Sequence, residues 1–261
     1  MATKKTLRDI QAEPDYREIH IDKVGVKDIR YPIVVLDKKN KFQHTIASIN
    51  LYVDLPHHFK GTHMSRFVEI LNEHRGEISV KNFSEILAKM KKRFNATTAH
   101  LEVEFPYFIE KAAPVSKSKG LMEYGCRYSG KLGGKKDLVI EVRVLVSTLC
   151  PCSKEISERG AHNQRGMVKV AVRFNGFVWI EDIIKKIEES ASSPVFSLLK
   201  RVDEKYVTEK AYDNPMFVED VVREVALKLK ELKKIYWCRI EAENWESIHN
   251  HSAYAYLERS L

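Results

Sequence analysis

The residues best suited to metal chemistry lie between positions 147 and 166 of this 261-residue chain, in a polar loop that follows a predicted strand. Cys150 and Cys152 are separated by one residue, and His162 follows. A C-x-x-C pair would suggest a redox turn or a zinc ribbon, but the spacing here is C-x-C, and no second cysteine pair completes a structural tetrahedron. One thiolate, one imidazole and one carboxylate instead leave an open coordination position, which is typical of a catalytic metal site. The alternative is that both cysteines are small buried residues at a strand end.

A second cluster, residues 241–251, places Glu246, His249 and His251 beside the aromatic Trp245. Histidine is the side chain best suited to proton transfer near neutral pH. The alternative is an exposed polar loop between the last two strands. The crowding of acids and histidines favours a role in proton transfer.

Two further carboxylates stand in charged surroundings. Glu219 falls at the flank of an apolar stripe on a helix that we expect to begin at Asn214-Pro215, a capping side chain followed by proline. Its carboxylate could accept two hydrogen bonds from a guanine N1 and exocyclic amine. A charge that complements the helix dipole is the alternative. Glu204 lies within a charged stretch, and its local sequence alone predicts a solvated helix or loop residue.

Three cations could reach a phosphate group. They are Arg66, at the start of a predicted helix, and Lys154 and Arg165, on either side of His162. The chain has neither G-x-x-x-x-G-K nor G-x-G-x-x-G, so a bound triphosphate must be held by side chains and scattered backbone amides. The formal net charge of +8 fits attraction to a polyanion, or a lysine-rich solvated surface.

Hydrophobic periodicity predicts the elements that position these residues. Alternation predicts strands around Ile49–Val53, Leu101–Phe105, Leu121–Lys131, Ile140–Val146, Val168–Phe174 and Tyr236–Ile240, with the run Ile33–Leu36 pairing with the first. Helical spacing predicts helices around Phe67–Leu71, Phe83–Phe94, Ile180–Ile187 and Val218–Leu229. Each half of the chain reads as strands flanking inserted helices, which predicts an α+β fold of antiparallel strands with helices on one face.

Composition limits the class of protein. The chain is 44% hydrophobic and has no run approaching the roughly 20 apolar residues of a membrane span. No secretory signal is evident at the start, and four cysteines do not form a disulfide framework. We therefore expect a cytoplasmic protein without a membrane partner. The polar residues 1–20 are expected to be disordered.

Two longer segments carry a family resemblance. The run Thr148-Leu149-Cys150-Pro151-Cys152-Ser153-Lys154 with Gly160-Ala161-His162-Asn163-Gln164-Arg165 resembles the signature of the prokaryotic type IB GTP cyclohydrolases. Matching segments at 61–67 and 246–251 extend the resemblance from about residue 60 to 255. It implies two tandem tunnelling-fold modules, 21–132 and 133–261, with most of the active site in the second. It also implies a homo-oligomer, a tetramer with active sites at subunit interfaces, which would let Arg66 serve a site built mainly from the second module.

The resemblance further implies roles for individual residues. Cys150, His162 and Glu204 resemble ligands of one divalent metal, with zinc, manganese and iron all compatible. Glu219 resembles the guanine anchor, and the remaining active-site groups are Cys152, Glu246, His249 and His251. Arg66, Lys154 and Arg165 are expected to hold the triphosphate. The implied reaction converts GTP and water to 7,8-dihydroneopterin triphosphate and formate, the first step of folate-type pterin biosynthesis.

Other functions remain compatible with these residues. A related tunnelling-fold enzyme could act on a purine or pterin and give another product, such as a cyclic phosphate. An inactive relative could bind a pterin or purine only, although the intact clusters argue against it. A basic nucleic-acid-binding protein with a structural metal would show steep salt dependence. The lack of a recognisable nucleic-acid-reading motif argues against a nucleic-acid partner.

Overall fold

The computed structural model describes residues 9–74, 78 and 82–261, with only the backbone of Ala12. Within these ranges the chain is α+β, as predicted, with six α-helices, nine strands and one short 3-10 helix. It divides into two compact units. The first comprises the described parts of Met1–Glu104 with Tyr128–Leu138, and the second comprises Phe105–Arg127 with Val139–Leu261.

The elements follow in chain order. The strands are β1 (Ile21–Asp37), β2 (Lys41–Leu55), β3 (Ala99–Ala112), β4 (Lys119–Gly133), β5 (Lys135–Leu149), β6 (Asn163–Phe174), β7 (Ser193–Pro194), β8 (Ile235–Trp245) and β9 (Ser252–Ser260). The α-helices are α1 (Met64–Glu73), α2 (Phe83–Phe94), α3 (Pro151–Ile156), α4 (Ile180–Glu188), α5 (Arg201–Asp213) and α6 (Val218–Leu229). The 3-10 helix is Ile10–Ala12.

In the first unit, β1 pairs antiparallel with β2, and β2 pairs antiparallel with β3. The pairing of Ile33 with Thr45 confirms that the apolar run Ile33–Leu36 joins the neighbouring strand. The turn between β1 and β2 is closed by Asp37, whose Oδ1 accepts hydrogen bonds from the backbone amides of Lys39 and Asn40.

The two helices of the first unit contact each other, α1 packs on β1, and α2 packs on β2. Their buried residues are those that the helical spacing predicts: Phe67, Ile70, Leu71, Phe83, Ile86, Leu87 and Met90. Phe94, at the end of α2, stacks on Phe67 with ring centroids 4.1 Å apart. Apolar residues three and four positions apart therefore form one core-facing stripe on each helix.

In the second unit, β5, β6, β8 and β9 form consecutive antiparallel pairs, and the short β7 pairs with β5. Val170 pairs with Val142 on one side and with Ile240 on the other, which places apolar side chains in register across three strands. α4 and α6 contact each other, and α6 packs against β8 and β9. The predicted stripes are buried: Ile180, Ile183, Ile184 and Ile187 on α4, and Val218, Val221, Val222, Val225 and Leu229 on α6.

The predicted start of α6 at Asn214-Pro215 is wrong, because the helix begins at Val218. The backbone amide of Met216 donates to the Leu149 carbonyl at 3.0 Å, which ties this segment to the end of β5 instead of to a helical turn. Asn214 instead ends α5, where its backbone amide donates to the Ala211 carbonyl, and its side chain donates to the Ala191 carbonyl at 3.1 Å. The Asp220 carboxylate instead accepts from the backbone amide of Phe217 at 3.0 Å at the true start.

The loop predicted after β5 is also partly helical, since Pro151–Ile156 form α3. Residues 10–14, predicted to be disordered, include the 3-10 helix and a bridge between Pro14 and Phe59, whereas residues 1–8 lie outside the described residues. The two compact units do not coincide with residues 21–132 and 133–261, because β3, β4 and β5 each contribute residues to both units. The module boundaries themselves remain a prediction.

Candidate active site

Cys150 and His162 are neighbours at the point where β5 ends and β6 begins. The backbone amide of Cys150 donates to the His162 carbonyl at 3.1 Å, and Leu149 pairs with Asn163 in the adjacent ladder. The chain between them leaves the sheet as α3 and returns to the same place. An excursion from a continuous ladder therefore brings together two residues that are distant in sequence.

Ser153 holds the two sides of this excursion together. Its hydroxyl donates to the Cys150 carbonyl at 3.3 Å and accepts from the backbone amide of His162 at 3.2 Å. Its own backbone amide donates to the Cys150 sulfur at 3.5 Å, so the thiol caps the first turn of α3.

The loop after β8 brings a carboxylate to the same place. Glu246 follows the last residue of β8, and its Oε2 lies 3.8 Å from Nδ1 of His162. Both side chains are largely buried, with 16% of His162 and 11% of Glu246 exposed. Nδ1 of His162 has no hydrogen-bond partner within the described part of the chain. A buried imidazole beside a carboxylate can be oriented as a ligand or can exchange a proton.

His249 and His251 lie in the same loop with their rings stacked, at a centroid distance of 5.1 Å and an interplanar angle of 17°. Glu219 approaches from the first turn of α6. These side chains surround a cleft of about 270 Å³ within the second unit. The cleft is lined by Cys150, His162, Gln164, Met216, Phe217, Val218, Glu219, Asn244, Glu246, His249, His251 and Ala253.

The cleft thus gathers six of the residues that the sequence singles out: Cys150, His162, Glu219, Glu246, His249 and His251. They come from four separate places in the chain: the ends of β5 and β8, the start of β6 and the start of α6. A thiol, an imidazole, two carboxylates and a histidine pair in one concave site offer individual metal donors, acceptors for the hydrogen bonds of a base and groups that can transfer protons.

Other predicted site residues do not line this cleft. Cys152 is exposed on α3, and Glu204 is exposed on α5. Lys154 donates to the Tyr212 carbonyl, with its ammonium 4.2 Å from the centre of the Tyr212 ring. Arg165 is exposed on β6 and follows Gln164, so it points to the opposite face of the sheet.

Arg66 belongs to the first unit, where it lines a separate cavity of about 180 Å³. Gly61, Thr62 and His63 line that cavity too, and Nε2 of His63 lies 3.0 Å from a carboxylate oxygen of Asp9. Residues 61–67, which carry part of the family resemblance, therefore help to line a cavity in the first unit that is separate from the cleft.

The donor set only partly fits the expected metal. Cys150 and His162 offer sulfur and nitrogen donors in one cleft, and an imidazole nitrogen of His162 is buried without a partner. Glu204 is not among the residues that line the cleft. No group of three His, Cys, Asp or Glu side chains in residues 9–74, 78 and 82–261 is close enough to enclose a metal.

Two cleft residues, Gln164 and Asn244, have no role in the sequence prediction. Gln164 shares a face of β6 with Val168 and Val170, and Asn244 shares a face of β8 with Ile240 and Ala242. Both are buried, at 7% and 3% exposure. A polar residue in the core-facing register of a strand is a signal that the sequence already contains.

Known proteins of one family match nearly the whole chain. Residues 7–255 match the family described as Type I GTP cyclohydrolase folE2. A protein of Syntrophotalea carbinolica named GTP cyclohydrolase FolE2 is 66% identical over 97% of this chain and 95% of its own length. One of the same name from Geobacter sp. strain M21 is 61% identical over 98% of this chain and 96% of its own length.

A solved structure shares the architecture. Uricase from Arthrobacter globiformis superposes with a TM-score of 0.51 at 8% identity, covering 92% of this chain and 93% of that one. At this identity the superposition is evidence for the fold alone, and it confirms the predicted tunnelling fold.

Among the described residues, no helix is long and apolar enough to cross a bilayer.

Proposed function

The chain belongs to the type I GTP cyclohydrolase FolE2 family, and we propose that it converts GTP and water to 7,8-dihydroneopterin triphosphate and formate. The observation that carries this proposal is the cleft that gathers Cys150, His162, Glu219, Glu246 and the histidine pair. Family membership makes the chain a hydrolase, and the cleft contains groups suited to base recognition and proton transfer. The product would supply folate-type pterin biosynthesis.

The proposal includes one divalent metal per site, with zinc, manganese and iron as candidates. Cys150 and His162 would hold it, with Glu204 as the third ligand by family resemblance. The chemistry that such a metal would supply there is activation of a water molecule for hydrolysis of the guanine imidazole ring. Glu204 does not line the cleft, so its role rests on the resemblance alone.

Glu219 would fix the base. Its carboxylate is exposed at the start of α6, inside the cleft, and it can accept from N1–H and from one N–H of the exocyclic amine. Adenine presents an unprotonated N1 on the corresponding edge, so the same carboxylate would reject it. This pairing accounts for selection of a guanine nucleotide.

Glu246, His249 and His251 would handle protons. Glu246 lies beside Nδ1 of His162 and can orient that ring. The stacked pair His249 and His251 is exposed at the cleft and can donate to and accept from the imidazole ring of the base as it opens. Cys152 is proposed as a further active-site group on the resemblance alone.

We also propose a homo-oligomer, a tetramer with sites at subunit interfaces, in the cytoplasm. β9 lies at an edge of the described sheet, and it exposes Tyr254 and Tyr256. An exposed edge with large aromatic side chains favours pairing with another chain. Arg66, Lys154 and Arg165 are proposed to hold the triphosphate, which would require an assembly that brings them to one site.

The test is formate release from GTP, together with the fluorescence of the oxidised pterin product, by metal-reconstituted protein. Cys150→Ala and His162→Ala should abolish both signals. Lys169→Met is the matched control, since Lys169 lies on β6 but does not line the cleft. No formate under zinc, manganese or anaerobic iron would overturn the proposal, and formate without a neopterin product would indicate a related purine enzyme.

A further inference from the structure

Gln164 is a buried polar residue of the cleft with an unsatisfied acceptor. Its side chain lines the cleft, and only 7% of the residue is exposed. Its Oε1 is buried and has no hydrogen-bond partner in the described part of the chain. Buried polar atoms are normally paired, so an unpaired acceptor at the wall of a cleft is available to a ligand bound there.

The position itself does not need a polar side chain. Gln164 shares a face of β6 with the buried Val168 and Val170. It pairs across the ladder with Thr148, which is also fully buried and whose hydroxyl has no partner in the same described residues. A side chain such as methionine would fill this volume without burying an unpaired acceptor, so the fold alone does not explain a glutamine here.

The chemistry of the proposed base matches this acceptor. The two oxygens of Glu219 can take N1–H and one N–H of the exocyclic amine of guanine. The second N–H of that amine then needs an acceptor inside the cleft, because a donor left unpaired there weakens binding. Gln164 supplies an acceptor in the same cleft as Glu219.

We infer that Gln164 is a specificity-determining residue whose Oε1 accepts a hydrogen bond from the exocyclic amine of the guanine base. The inference rests on the proposed function, since it takes GTP as the ligand. Gln164 and Glu219 together then satisfy both hydrogens of the amine. Hypoxanthine lacks that amine, so inosine triphosphate gains nothing from Gln164.

The test combines a change in the protein with a change in the ligand. KM and kcat are measured for GTP and for inosine triphosphate with the metal-loaded protein and with Gln164→Met. The variant should raise KM for GTP about tenfold with little change in kcat, because a contact shared by ground and transition states is lost. Its KM for inosine triphosphate should stay within about twofold of wild type. Lys169→Met should change neither nucleotide's constants.

Binding of both nucleotides to the metal-free full-length chain, by calorimetry, separates this inference from the proposed function. If the metal-free wild type binds GTP but the metal-loaded wild type releases no formate, the proposed function fails, and the affinity ratio of wild type to Gln164→Met still tests the amide. Unchanged GTP affinity in the variant would overturn the inference. Equal losses for the two nucleotides would do so too, because the amide would then contact a part that both share.

Thermal unfolding shows whether a loss of GTP affinity in the variant comes from a destabilised fold. Gln164→Met should melt at the wild-type temperature or above it, because it removes a buried unpaired acceptor. Gln164→Leu serves as a second variant with a different shape. Retained binding of inosine triphosphate by either variant shows that the cleft is intact. A lower melting temperature with unchanged GTP affinity would assign Gln164 to the core.

Discussion

The backbone amide of Cys150 and the carbonyl of His162 are joined by a 3.1 Å hydrogen bond. The sheet ladder therefore holds the backbones of the two proposed metal ligands next to each other. The twelve-residue separation that is visible in the sequence is the length of the excursion through α3. A preorganised pair of ligands lowers the cost of ordering on metal binding.

The first prediction concerns Ser153, which bonds to the backbone on both sides of that excursion. Ser153→Ala should lower the free energy of unfolding by about 1–2 kcal/mol, because two hydrogen bonds are lost. It should also weaken metal binding by about 10- to 100-fold, as loss of outer-shell support commonly does. Denaturant unfolding and metal titration by competition with a chelator measure the two effects.

Ser157→Ala is the control for this change. Ser157 lies at the end of α3, and its hydroxyl accepts a local bond from the backbone amide of Arg159 at 3.2 Å. We expect its metal affinity to equal that of wild type. If both serine variants lose metal equally, α3 as a whole, rather than the Ser153 bridge, supports the ligands.

The second prediction concerns cysteine reactivity. Burial raises the pKa of the Cys238 thiol to about 11, and burial raises the pKa of Cys126 well above its usual value. Cys152 is exposed. An alkylating reagent at pH 8 should therefore modify Cys152 first and leave Cys126 and Cys238 untouched in the folded chain, because the thiolate is the reactive form.

Cys150 makes the same experiment informative about the metal. It is half-buried and lines the cleft, so it should be modified in the metal-free chain and protected after metal loading. Mass spectrometry of digested protein identifies each modified residue. Equal modification of Cys150 with and without bound metal would remove it from the ligand set.

The sequence predicts those helices that have an apolar face and misses those that do not. α1, α2, α4 and α6 each bury a stripe of apolar residues, and periodicity identifies all four. α5 buries only Asp203 and Ala211, and α3 buries no residue, so neither has a stripe to detect. Both are held by polar contacts that depend on distant parts of the chain.

Asp203 illustrates such a contact. Its carboxylate accepts from the backbone amides of Val115, Ser116 and Lys200, each at 2.8 Å, and from the Ser116 hydroxyl at 2.6 Å. Burial alone would raise its pKa, but these hydrogen bonds outweigh burial and hold the pKa well below its usual value. A partner some 87 positions away cannot be inferred from local spacing.

The residues of the candidate site also separate into those that the sequence predicts and those that it misses. Residue type and family resemblance predict Cys150, His162 and Glu219, and the structure gathers them in one cleft. Asn214-Pro215 is misleading because proline and asparagine also suit an extended turn, which here is tied to β5. Gln164 was within reach of the sequence, because it stands in the core-facing register of β6.

The third prediction concerns pH and Asp54. Burial would raise the pKa of this carboxyl, but hydrogen bonds from the Thr97 hydroxyl and the Thr98 amide, both at 2.6 Å, outweigh it and lower the pKa. A lowered folded-state pKa contributes stability that is complete above the unfolded value of about 3.9 and is lost as pH falls through the folded value. His20 also approaches, with Nε2 3.9 Å from Oδ2.

Asp54→Asn should therefore be less stable than wild type at pH 7, and the difference should shrink as pH falls below about 4. Urea unfolding of both proteins at pH 7, 5 and 3 measures it. Glu69→Gln is a control, because Glu69 is exposed and surface ion pairs contribute little. A difference between wild type and Asp54→Asn that is the same at all three pH values would contradict the assignment.

The last prediction concerns Gly166, which pairs with Asn244 at the wall of the cleft. A Cβ added to Gly166 would lie 2.3 Å from Oδ1 of Asn244 and 3.1 Å from the backbone oxygen of Glu243. Gly166→Ala should therefore destabilise the chain by about 1–3 kcal/mol, as overpacking does, and displace Asn244 from the cleft. The double variant Gly166→Ala/Asn244→Ala removes the nearest clash, so it should lose less stability than the sum of the two single variants. Additive losses would instead place the strain in the backbone contact with Glu243, and a fully stable Gly166→Ala would show that the Asn244 side chain is free to move.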